Sequence, residues 1–179
     1  MTRLTQEQKM EYFRRSYTAA DGLWFMKVEE SLGFEEALRL DEAVWKVLPK
    51  IQARALKGMM HLKRGLPGLE QALCARLDLE GFLYEIEPRE DGFAVIVKRC
   101  PWHDFMERSG RGALSERVSE LICRVENSVW ASEFSGENGK PGEGEAVEGM
   151  CPEIAFEREE RICRGEGRCV LRFCKQEPG

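Results

Sequence analysis

No apolar run in this sequence approaches the roughly 18 residues that a membrane-spanning helix needs. Residues 1–15 are polar and charged, unlike a signal peptide. The expectation is therefore a cytoplasmic protein with no membrane partner. A basic excess is also missing. Twenty-seven Lys and Arg stand against 32 Asp and Glu, a net charge of −5, which excludes a basic nucleic-acid footprint over the whole chain. Histidine is scarce, at two residues, His61 and His103. A phosphate-cradling loop is absent, since Gly165 and Gly167 lack both the strand–helix context and the Lys-Ser/Thr that follows it. There is no Gly-x-Ser-x-Gly nucleophile elbow either.

What is present suits one domain of ordinary size. The chain has 179 residues, 42% hydrophobic and 33% charged, enough to bury a real core. Residues 6–18 read as a helix capped by Thr5. Leu23, Trp24, Phe25, Val28 and Leu32 continue at near-helical spacing until Gly33 stops them. A further helical run spans 34–63, and Pro49 breaks or kinks it. A short helix follows over 67–77. The period then drops to two over 82–87 and 93–98, with an Asp91-Gly92 hairpin signal between them. A long apolar stripe of period 3.6 runs over 115–134. Residues 135–150 carry five glycines and a net charge of −3, and read as a mobile acidic loop. Extended runs over 154–162 and 170–173 close the chain. The fold class expected is α+β: N-terminal helices (about 1–79), then two antiparallel β-hairpins in one sheet flanking a long helix (about 80–175).

Cysteine is the sharpest chemical feature. Seven residues is an odd number in a chain with no export signal, so thiols held for a metal, for redox use or by simple burial are expected rather than a disulfide framework. Cys163 and Cys169 stand at the two mouths of a glycine turn, within reach of one zinc if a bulge brings both to one face. Cys100 and His103 mark the end of a strand and the start of a helix, and Cys123 sits beside the long helix's apolar stripe. Cys100, His103, Cys123, Cys163 and Cys169 are the candidate metal ligands, with zinc or iron as the cofactor. Burial without chemistry stays open for all of them, and fits Cys74 and Cys174 best. Cys151 borders the acidic loop.

The second constellation pairs acids with tryptophans. Asp21, Trp24 and Glu29 fall close together on one helix. Asp41 and Trp45 are one turn apart, and Trp130 lies near Glu133. Such groups line a ligand pocket that is apolar with few polar contacts, where desolvation raises carboxylate pKa values. The alternative is that Asp21 caps a helix and the other acids are solvated or paired with Lys46, Arg54 or Arg64.

The run from Asp21 through Trp24 to Glu30, then Gly33, Ala37 and Leu40 to Trp45, resembles a family of bacterial and archaeal proteins, frequent in anaerobes, known as a domain of unknown function. The resemblance extends over about 17–173 and includes Arg99-Cys100-Pro101. The closing Cys163, Gly165-Glu166-Gly167, Cys169 and Phe173 are similar to the end of 4-vinyl-reductase-type ligand-binding domains, with Glu166 where Asp is usual. More distantly, the layout is similar to amino-thiazoline carboxylate hydrolases. These resemblances imply a cavity between helices and sheet and a cysteine metal site. Three functions are thus expected in competition: a small-molecule- or metal-binding sensor module, a hydrolase of a small amino-acid-like substrate, or a structural subunit. A homo-oligomer is compatible with each.

Overall fold

The computed structural model describes residues 3–136 and 154–176. Six helices and four strands follow in the order α1 (Gln6–Leu32), α2 (Phe34–Trp45), α3 (Leu48–Met60), α4 (Leu66–Glu80), β1 (Leu83–Arg89), β2 (Gly92–Arg99), α5 (Pro101–Arg108), α6 (Gly112–Phe134), β3 (Ile154–Arg158) and β4 (Cys169–Lys175). The class is α+β, as the change of period implies. Among the described residues no helix is long and apolar enough to cross a membrane.

Thr5 starts α1 with a reciprocal cap, its hydroxyl accepting from the Gln8 amide while the Gln8 side chain accepts from Thr5. Two expected segments fuse here into one helix that passes through Gly22 and ends at Gly33, whose φ of 86° suits glycine. The long helical run breaks between Trp45 and Leu48, so that Pro49 enters α3 in its first turn, where its missing N–H costs nothing.

The four strands form one antiparallel sheet in the order β1-β2-β4-β3. One face carries Phe93, Val95, Val97 and Phe173, which pack with Leu69, Leu73 and Leu77 of α4 and with Trp130 and Phe134 of α6. The opposite face holds Ala94, Ile96 and Val170 beside ion pairs, among them Arg172 to Asp91 (2.6 Å) and to Glu157 (3.0 Å). A second apolar cluster joins Leu38, Trp45 and Ile122 with Phe25, Trp102 and Val118. The space between the two clusters is where the candidate site lies.

Two details correct the sequence reading. The β1–β2 turn is Glu90-Asp91, and Gly92, expected in the turn, is the first residue of β2, paired with Arg89 and not of positive φ. It is required instead because a Cβ there would lie 2.0 Å from the Phe173 carbonyl oxygen, where β4 passes. The acidic loop expected over 135–150 lies mostly outside the described residues. Its first member, Ser135, is buried, and its hydroxyl accepts from the Ile154 amide at 2.9 Å, tying the end of α6 to the start of β3.

Candidate functional site

A cavity of about 180 Å³ opens between α1, α2, α4, α5, α6 and the sheet. Each element reaches it by its own periodicity. The inward stripe of α1 brings Asp21, Gly22, Phe25 and Met26, and α2 brings Asp41 and Trp45 one turn apart. Gly22 is small enough to let the Phe105 ring of α5 approach, since a Cβ there would meet it at 2.9 Å. From α4 come Leu73, Arg76 and Leu77; from α6, Ile122, Cys123, Glu126 and Asn127. The aromatic wall is continuous: Trp102 meets Trp45 edge-on at 5.9 Å and Tyr17 at 5.7 Å.

The polar groups divide into paired and unpaired. Arg76, 5% exposed, lies 3.1 Å from Glu80 and 2.6 Å from Glu126. Burial works against its charge, but Glu126 and Glu80 more than offset this and hold it protonated. Glu126 meets Arg76 through Oε1, 2.6 Å from a guanidinium nitrogen. Desolvation raises the Glu126 pKa, against the pull of Arg76. Arg111 is taken by Glu29 at 2.6 Å and Arg158 by Glu120 at 2.9 Å. Asp21 and Asp41 have no such cation among the described residues. Burial lifts Asp21 to about 6. Burial lifts Asp41 to about 7, helped by the charge of Asp21 and opposed by the Trp45 indole N–H.

The sequence-derived candidates sort accordingly. Asp21, Asp41 and Trp45 line the cavity. Trp24 does not: it is 65% exposed, because α1 turns only a narrow stripe inward and Phe25, one turn from Asp21, holds the inner position. Glu29 acts at one remove, through Arg111. Trp130 is wholly buried in the core with the Arg76 guanidinium 5.7 Å from its ring. Glu133 is paired with Arg54 at 2.9 Å, as the alternative reading has it. His61 closes α3 in the left-handed conformation, away from the cavity.

Cys100, His103, Cys123, Cys163 and Cys169 all line the same cavity. A 3₁₀ turn at Ile162–Arg164, not a strand bulge, lifts Cys163 out of strand alternation. The Cys163 sulfur accepts from Ser119 Oγ at 2.8 Å, and that of Cys169 from the Ile162 amide at 3.2 Å. His103 Nδ1 is 2.8 Å from Ser115 Oγ. Burial raises the Cys169 pKa, pushes Cys100 up to about 12, and raises Cys123 further, so these three stay thiols. Among the described residues no group of three or more His, Cys, Asp or Glu is placed to hold a metal ion. Cys151 lies outside the described residues. Cys74 and Cys174 do not line the cavity and fit simple burial.

Residues 3–131 match a family described as of unknown function, DUF6125. The chain belongs to the DUF6125 family. The matched stretch includes Asp21, Asp41, Arg76 and Glu126, and ends before β3 and β4, which carry Arg158, Cys169 and Phe173. Comparison with curated proteins gives no match, and comparison with solved structures gives none.

Arg76, Glu126 and Trp102 escaped the sequence reading. The signal was available: Leu69, Ala72, Leu73, Arg76 and Leu77 recur at helical spacing, as do Ile122, Glu126 and Trp130. A charge inside such a stripe is buried with a partner or beside a cavity.

Proposed function

We propose that this DUF6125 protein is a small-molecule-binding module whose ligand occupies the cavity between the helices and the sheet. One observation carries the reading: a space walled by aromatic and aliphatic side chains holds carboxylates, Asp21 and Asp41, that no cation of the described chain neutralises. Burying such groups is unfavourable, and a fold that keeps them gains from a bound partner. Apolar walls with a few convergent polar groups are the general form of a ligand site. A metal on Cys100, Cys163 and Cys169 is supported by their shared cavity. Against it stands the lack of a converging ligand set among the described residues, so an organic ligand is the reading chosen. Hydrolysis is supported by the raised Asp41, whose pKa near 7 suits a general base. That reading adds a reaction to the same cavity rather than replacing it.

The test is occupancy. Titration of the full chain with 2-phenylethanol is expected to shift the emission of Trp45 and Trp102 and to raise the melting temperature. Val118→Trp, which fills the cavity from α6, is expected to abolish both responses while circular dichroism stays native. No response of the parent chain to 2-phenylethanol or to charged probes of the same shape, or an equal response in the filled variant, overturns the proposal.

A further inference from the structure

The cavity's charges identify the kind of ligand, given that the cavity is a binding site. Each cation that lines it from the helices or from β3 already meets an acid: Arg76 has Glu80 and Glu126, Arg111 has Glu29, and Arg158 shares Glu120 with Arg161. The acids are in excess. Asp21 and Asp41 approach from different helices, close enough for the charge of one to raise the other, and neither has a cationic partner among the described residues. Glu126, 6% exposed and lining the same space, adds a third carboxylate, paired with Arg76 at 2.6 Å. The nearby walls are Trp45, Trp102 and Phe105, whose ring faces attract cations.

We propose that the ligand is an organic amine: a protonated ammonium group held by Asp21 and Asp41, carried on an apolar body of aromatic size that packs against Trp45, Trp102 and Phe105. An anionic ligand would add charge of the sign already in excess. A neutral one would leave both half-buried carboxylates without a compensating charge. A cation removes that penalty and supplies charged N–H donors to the two carboxylates. The apolar body follows from the walls, where a small hydrated inorganic cation would gain nothing from the rings.

Three probes of similar shape and different charge separate this inference from the binding reading on which it rests. At pH 7.5, 2-phenylethylammonium is expected to bind the full chain at least about tenfold more tightly than 2-phenylethanol, and 3-phenylpropanoate is expected to bind most weakly. In the Asp21→Asn/Asp41→Asn double variant, and in part in Asp41→Asn alone, the ammonium preference is expected to vanish while 2-phenylethanol still binds. Equal binding of ammonium and alcohol, or tighter binding of the carboxylate, overturns the amine assignment and leaves the binding module standing. So does an ammonium preference that survives the double substitution. If none of the three probes binds, both proposals fall.

Discussion

A carboxylate taken out of water prefers to hold its proton, and Asp41 illustrates what that does to a fold. Its pKa is lifted to about 7, first by burial and then by Asp21. An acid whose folded pKa lies above its unfolded value weakens the folded state as it ionises. Asp41→Asn, which keeps the shape and removes the charge, is therefore expected to stabilise the chain at pH 8. The gain is on the order of 1 kcal/mol after allowance for partial exposure, or ~3 °C in Tm. At pH 4 the gain should vanish, and thermal melts at the two pH values check it. Arg76 makes the opposite case. It is the one cation shared by Glu80 and Glu126 in a site almost closed to water, so Arg76→Ala is expected to cost about 3 kcal/mol in urea unfolding. A loss under 1 kcal/mol would show that the acids reorganise without it. At this scale the sequence was half legible. Asp41 and Trp45 share a face by spacing alone, and their meeting at the cavity follows. Trp24 went astray because helical spacing says which residues share a stripe, not how wide a stripe the neighbours will cover.

Several element ends were legible, because caps and breakers are local, but the extended run expected over 154–162 ends as β3 at Arg158, with Ile162 in a 3₁₀ turn. Thr5 acts through its hydroxyl on an amide three residues on, Gly33 and Pro49 through their own backbone, and no tertiary contact overrides them. Gly92 was expected in the turn but opens β2, and its need comes from Phe173 of β4, about 80 residues away. Gly92→Ala is thus expected to destabilise the sheet by roughly 2 kcal/mol through overpacking against backbone that cannot retreat. Chemical denaturation would show this, and a neutral outcome would mean that β2 and β4 can separate locally. The elements also differ in how firmly they are held. None of the α1 residues is buried, and Tyr12, Phe13, Leu23 and Trp24 are exposed, whereas the central residues of β2 are buried without exception from Phe93 to Val97. Native-state hydrogen exchange is expected to be fastest in the first two turns of α1 and slowest in β2 and β4. Equal protection of α1 would contradict this assignment.

Across the whole molecule the buried acids sum to a pH profile. Asp21, Asp41 and Glu126 all have raised folded pKa values. The folded chain therefore holds more protons than the unfolded one between about pH 4 and 7, and stability falls as pH rises through that window, then levels off. Glu133, lowered by its hydrogen bond to Arg54, works the other way and loses its contribution as pH falls below the ordinary carboxylate range. Stability is expected to peak in mildly acidic solution, and urea midpoints from pH 3 to 9 would trace the peak. A maximum at pH 8 would mean that these carboxylates are solvated. The same acids show where reading the chain alone stops. By itself the sequence determined the α+β class, the helix ends, the strands and the presence of acids beside tryptophans, because periodicity and capping depend on neighbours three or four residues away. Only the tertiary structure decided that Asp21, Asp41, Arg76 and Glu126 face one space, that Trp130 belongs to the core, and that Cys100, Cys123, Cys163 and Cys169 line a cavity without any metal-ligand set converging among the described residues. Those outcomes depend on how wide a face each helix buries and on which cations reach which acids across elements, and neither is written in local spacing.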